Sequence, residues 1–331
     1  MTDAGAADAD LAAVAHRYDR FAREEAPGRS ALYESWAAGV ARDRRAQAVL
    51  AQIPATRRQP PLVFAIARMA GAPDAPYADF AAWLYAHADE FVAAASARSL
   101  QTNEPQRCTA LLPALAGIDG PIALVELGAA AGLCLVPDRY AYRYRGAGDE
   151  VRLAAPGQHT GVTLDCVVRG RMPPIERPRI VWRRGVDLTP LSARDPQDAA
   201  FLRALVWPGE TGRAERIAAA LDVVAADPPE IHAGDVTDVA VLRRATQDAP
   251  ADATLVVTTP GLAGHLSRAG RSSLRAGIAA VGARWISIDA PDAGSPADDG
   301  FIVRRDDDEI ARCDPLGAWL EWRHGAGAAR R

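Results

Sequence analysis

The stretch Ile122-Ala-Leu-Val-Glu-Leu-Gly-Ala-Ala-Ala-Gly-Leu-Cys-Leu135 decides how this chain reads. Its first six residues form an apolar run broken only by Glu126. A parallel strand covered on both faces is continuous in this way, whereas a half-exposed strand alternates. The run therefore predicts a core strand over 122–127, then a glycine turn, then an apolar helix reaching about Pro137. Carboxylates are seldom fully buried without a partner, so Glu126 at the carboxyl end of a core strand marks a site. Gly128 and Gly132 permit backbone angles and close approaches that a side chain blocks. In open α/β sheets ligands bind outside the carboxyl ends of strands, at the switch point. Glu126, Gly128 and Gly132 are accordingly candidate binding residues.

Composition narrows the field around that turn. The chain has 331 residues, 49% of them hydrophobic and 24% charged, which suits a globular protein with a substantial core. A net charge of -4 argues against a nucleic-acid partner. All 38 basic residues are arginine, which removes a Schiff-base lysine and the lysine of a phosphate-binding P-loop. Cys108, Cys134, Cys166 and Cys313 form no C-x-x-C pair, so neither a metal site nor a disulfide framework is expected. The acidic first residues lack the pattern of a signal peptide, and every apolar run is interrupted well short of a membrane span. These features predict a cytoplasmic protein with no membrane partner; nothing in them sets an oligomeric state.

On the amino-terminal side the pattern is helical. Val14, Tyr18 and Phe21 recur at helical spacing, Ser30 is placed to cap a helix carrying Tyr33, Trp36 and Val40, and Pro60-Pro61 opens an apolar helix. Residues 77–99 read as one helix with Phe80, Trp83, Leu84, His87 and Phe91 on its core stripe. The polar cluster Thr102, Asn103, Glu104 and Arg107 precedes the helix 109–115. It reads either as a helix start capped by Thr102 or Asn103 or as a polar wall over the ligand site, with Asn103 and Arg107 in a substrate pocket. The turn-rich joint 117–121 separates a helical region, 1–118, from a sheet domain, 119–331.

On the carboxyl-terminal side strands and helices alternate. Residues 140–178 read as a strand-containing insertion. Later strands end at Asp187, at Asp235, in the 254–258 run and at Asp289, with helices between them. Phe301-Ile-Val-Arg and Trp319-Leu-Glu-Trp bracket an acidic hairpin tip at 306–309. The fold class is α/β, with a mostly parallel sheet and a late antiparallel strand pair.

The turn Glu126-x-Gly128-x-x-x-Gly132 is neither the dinucleotide G-x-G-x-x-G, since Ala130 holds the middle position, nor a P-loop. It resembles the first motif of class I S-adenosylmethionine-dependent methyltransferases, in which an acid and a glycine turn hold the methionine portion of the cofactor. Asp187 then stands where an acid accepts from ribose hydroxyls, and Asp235 where such folds place an acid against the adenine amino group. Asp289 falls too late in the strand order for adenosine. Asp149 and Glu150 lie nearer the usual spacing beyond the glycine turn, but in a segment that reads as an exposed turn.

The strings Gln101-Thr-Asn-Glu-x-x-Arg-Cys108, Asp138-Arg-Tyr-x-Tyr-x-Tyr144, Val181-Trp-Arg-Arg-Gly-Val-Asp-Leu-x-Pro190, Leu205-Val-Trp-Pro208 and Asp314-Pro-x-Gly-x-Trp-Leu-Glu-Trp322 together resemble the bacterial family DUF 2332. That resemblance implies a helical region joined to a Rossmann-like, class I methyltransferase-like sheet, and it assigns no reaction. The sequence departs from the family pattern at Cys134, where Asn is usual, and over Thr258–His265.

The function expected is methyl transfer from S-adenosylmethionine to a small molecule, with His265 or Glu104 as the base where the acceptor must lose a proton. Arg107, Arg183 or Arg184 would clamp an acidic substrate. The alternatives are a ligand-binding or regulatory protein that has lost the chemistry, and an enzyme for another adenine or nicotinamide cofactor.

Overall fold

The computed structural model describes residues 3–101, 103–157, 161–291 and 300–323. In chain order, helices α1 (Asp3–Arg20), α2 (Ala31–Val40), α3 (Arg44–Ala51), α4 (Pro60–Met69), α5 (Tyr77–Ala86), α6 (Ala88–Ala97) and α7 (Cys108–Leu115) precede strand β1 (Ile122–Leu127). Strands β2 (Ala141–Arg145), β3 (Glu150–Leu153), β4 (Thr163–Arg169) and β5 (Ile180–Asp187) lead to α8 (Pro196–Ala204) and α9 (Arg213–Ala226). The remainder is β6 (Glu230–Ala233), α10 (Val239–Thr246), β7 (Thr254–Pro260), α11 (Arg268–Ala280), β8 (Arg284–Asp289), β9 (Phe301–Arg305), β10 (Asp308–Cys313) and β11 (Trp319–Trp322).

The chain folds as two units. One comprises Met1–Thr102 with Pro196–Ala218, the other Asn103–Asp195 with Ala219–Arg331. The first is helical and centres on aromatic side chains. Trp36 stacks on Phe80 with ring centroids 4.3 Å apart, and Phe64 meets Tyr18, Tyr33, Trp36 and Phe80. Trp207, beyond α8, lies 5.1 Å from Phe21 between ring centroids, which ties the 196–218 excursion into this core. Ser30 caps α2 through Tyr33 N–H as its sequence position requires. Asp43 caps α3 through two backbone N–H groups, a helix the apolar spacing alone leaves unmarked.

The single helix read over 77–99 is two helices. His87 breaks it at φ -122°, ψ 23°, and is exposed instead of lining the core stripe. Its ring stacks on Trp83, and Nδ1 lies 2.9 Å from Trp83 O. A ring that satisfies itself at a helix end has no need of the interior.

The second unit is a mixed sheet whose described strands run β3-β2-β4-β11-β10-β9-β8-β7-β1-β5-β6. β1 is fully buried and lies parallel between β5 and β7, with Glu126 opposite Gly185 on one side and Thr258 on the other. β6 continues the parallel half beyond β5, and β8 continues it beyond β7. β9, β10 and β11 then alternate antiparallel, in register with β8. β10 went unread in the sequence because its acids, Asp308 and Glu309, sit where the hairpin tip was expected. The tip is narrower, with Asp306 at φ 59° and paired with Arg284. Among the described residues no helix is long and apolar enough to cross a membrane.

Candidate functional site

The segment after β1 is the clearest departure from its sequence reading. No helix follows the glycine turn; residues 128–136 are turns, followed by a 3-10 turn at Pro137–Arg139. Three alanines favour a helix, but Ala130 at φ 48° and Gly132 at φ 79° are left-handed and interrupt one. The segment is nonetheless buried, so its polar backbone atoms need partners. Gly128 N–H and Ala129 N–H donate to Val186 O at 2.8 and 3.2 Å, and Ala130 O accepts from Leu191 N–H. Leu133 O accepts the Tyr140 hydroxyl at 2.8 Å, and Leu135 O accepts from Arg183 at 3.0 Å. Side chains from the 138–183 region thus replace the bonds that a helix would have made internally.

Asp187 fastens this loop. Its Oδ2 accepts from Ala130 N–H at 2.8 Å and its Oδ1 from Thr189 N–H at 2.8 Å, while the residue is 6% exposed. A Cβ on Gly132 would lie 2.9 Å from Pro229 Cγ. Gly132 is therefore needed for packing protein against protein. Gly128, at φ 78°, faces the Leu262 side chain.

Glu126 stands next to the loop at the end of β1. It is 2% exposed, and its Oε2 has no hydrogen-bond partner. Burial, with Cys134 and Asp187 nearby, holds its carboxyl well above the ordinary range, against a smaller opposing pull from the Arg107 charge. A carboxylic acid without a protein partner at such a depth is a functional candidate on physical grounds.

Arg107 lies over the ends of β7 and β8. The guanidinium donates from Nη1 to Pro260 O at 2.8 Å and from Nε to Pro315 O at 2.9 Å, and the residue is 6% exposed. Gly261, at φ 83°, makes room for it: a Cβ there would stand 2.5 Å from Nη1. Asp289, at the end of β8 and 8% exposed, accepts Ala263 N–H at 2.8 Å and so ties down the loop after β7. Burial pushes its carboxyl up to about 6, while Arg107, Arg304 and Arg271 pull it the other way. Asn103, four residues before Arg107, is 8% exposed with Nδ2 unpartnered.

The other expected residues fall elsewhere in role or place. Glu104 is fully buried and caps the 3-10 turn Pro105–Arg107, its Oε1 accepting Gln106 N–H at 3.1 Å, while its carbonyl accepts from Cys134 Sγ at 3.3 Å. The helix-start reading of that cluster is realised through Glu104; Thr102 lies outside the described residues. His265 is exposed on the 3-10 turn Ala263–His265. Asp235 is exposed in a turn, its Oδ1 accepting from Thr237 N–H and Oγ1 at 2.8 and 2.7 Å, which draws its pKa down. Arg183 pairs with both oxygens of Asp138, and Arg184 with Glu230 and Asp248. Both arginines are therefore structural partners. Asp149 and Glu150 are exposed beside or in β3, at the opposite end of the strand order from β5 and β6.

Two contributors escaped the sequence reading. Asp289 had a visible signal, an acid closing an apolar strand, and was set aside only for its place in strand order. Gly261 carried no reading of its own, because nothing local reports an arginine arriving from 154 positions earlier in the chain.

No curated protein and no solved structure matches this chain. A family model does match it, over residues 15–322, which takes in the helical region, the glycine loop and the last strand. The chain therefore belongs to the family described as "Uncharacterized protein conserved in bacteria (DUF2332)".

Proposed function

We propose that this protein binds S-adenosylmethionine at the carboxyl ends of β1, β5 and β7, and transfers its methyl group to a small molecule in the cytoplasm. One observation carries the reading. Taken in chain order, the five strands of the parallel half, β1, β5, β6, β7 and β8, lie side by side as third, second, first, fourth and fifth. That is a Rossmann-like order, and its switch point falls between β1 and β7, where Glu126 ends its strand.

The residues fit the cofactor unevenly. The orphaned Oε2 of Glu126 suits a donor on the methionine portion. Asp187 ends the strand beside β1, and each of its oxygens retains a lone pair beyond the N–H it accepts. Gly128 faces Leu262, and Asp235, expected against the adenine, is exposed in the turn after β6 with its Oδ1 accepting from Thr237. Gly132 offers no cradle, being filled by Pro229. When bound, the cofactor supplies an electrophilic methyl carbon. The contribution of the chain is to orient an acceptor in line with it at about 3–3.5 Å.

Titration calorimetry with S-adenosylmethionine and S-adenosylhomocysteine tests this. We expect saturable binding by the wild type and at least a tenfold loss in Glu126→Ala; no heat at millimolar ligand would sink the reading. A second reading, a ligand-binding protein without chemistry, is favoured by the two candidate bases. Glu104 is committed to a cap and His265 is exposed. Cofactor binding without any methylated product from cell extract would select it.

A further inference from the structure

We propose that Asn103 and Arg107 form the binding site for a small carboxylate ligand, which on the reading above is the methyl acceptor. Arg107 is buried and fixed by two carbonyls, Pro260 O and Pro315 O, which use Nη1 and Nε. Among the described residues no carboxylate stands within ion-pair distance of it, and Nη2 has no partner. Asn103 Nδ2 is a buried donor without an acceptor. Glu126, at the end of β1, feels the Arg107 charge and stands on the cofactor side of this site.

The chemistry of the occupant follows from these atoms. A guanidinium and a primary amide N–H are both donors, so the complementary group accepts only. A buried unpartnered donor costs about 1–3 kcal/mol, and a single carboxylate with two oxygens can relieve several. Charge points the same way. A cationic ligand would face Arg107, whereas an anion supplies the close counter-charge that a buried guanidinium otherwise lacks. The other charges nearby are Asp289 at the end of β8, which Arg107 also influences, and Asp187 at the end of β5.

The site is built around the arginine. Gly261 cannot carry a Cβ without striking Nη1, and a Cβ on Gly317 would lie 2.2 Å from Gln106 O, at the residue preceding Arg107. Two left-handed glycines from separate loops, at φ 83° and 87°, thus hold the 103–107 segment against the strand ends.

The test is titration calorimetry of the full chain with acetate, benzoate and inorganic phosphate, each with and without S-adenosylhomocysteine. We expect a carboxylate to bind saturably and not to compete with S-adenosylhomocysteine. Arg107→Met should weaken it at least tenfold, and Asn103→Leu, a near-isosteric change that keeps the arginine, about threefold or more. No carboxylate binding, unchanged binding in both Arg107→Met and Asn103→Leu, or tighter phosphate binding overturns the proposal. Competition with S-adenosylhomocysteine overturns the acceptor assignment, because the carboxylate subsite would then belong to the cofactor. Carboxylate binding without S-adenosylhomocysteine binding would keep the site and discard the methyltransferase reading; the converse would discard the site alone.

Discussion

Asp289 shows how one residue can couple this sheet to pH. Burial raises its carboxyl from 3.8 to about 6, so the folded chain holds a proton that the unfolded chain releases between about pH 4 and 6. Stability from this group is therefore present below pH 4 and declines as pH rises through that window. A shift of about two units corresponds to at most about 3 kcal/mol. Asp289→Asn keeps an oxygen for Ala263 N–H and removes the ionisation. Urea unfolding at pH 4 to 7 should find the variant matching wild type at pH 4 and more stable at pH 7 by up to that amount. Parallel profiles would show that the charge is already neutralised in the fold.

The glycine loop is where local preference and tertiary demand part at the scale of an element. The sequence identified its acid and its glycines, yet its function is bound up with Asp187, fifty-seven residues beyond Ala130. Asp187 was read as a ribose ligand, and it is at least an anchor, because the buried Ala130 N–H and the N–H of exposed Thr189 both donate to it. Asp187→Ala should cost about 1–3 kcal/mol, from leaving the one buried donor, Ala130 N–H, unpaired. Chemical denaturation measures this directly, and hydrogen exchange at Ala130 and Thr189 should quicken well before global unfolding. A cost under about 1 kcal/mol would mean that water replaces the carboxylate without penalty. A loss of nucleoside binding in this variant alone would therefore not prove contact, which is why Glu126 is the better probe.

For the whole molecule, the chain order and the units do not coincide, since α8 and the start of α9 return to the helical unit from the middle of the sheet sequence. Trp207 carries much of that return. It is 7% exposed, meets Phe21 and Tyr33, and takes the Arg29 guanidinium 3.7 Å over its ring. Trp207→Ala should cost about 3–5 kcal/mol, the usual penalty for deleting a buried large aromatic. Thermal unfolding would register it as a fall in Tm; an unchanged Tm would mean that the 196–218 segment contributes little to the helical core.

The sequence by itself determined the core strand Ile122–Leu127, the acids closing β1, β5 and β8, the alternation that makes the fold α/β, and the family. Each is a local record, because burial on both faces forces an apolar run and a terminal acid interrupts it. Only the tertiary structure decided that no helix follows the glycine turn, that Glu104 is a cap, that His265 is exposed, and that Arg107 reaches the ends of β7 and β8. Those outcomes depend on carbonyls and side chains distant in sequence, and a glycine or an arginine carries no local mark of the partner it will meet. The opening turn keeps its importance for that reason: Glu126 was legible as an unusual acid, whereas its lack of a partner emerged only once the surrounding chain had folded.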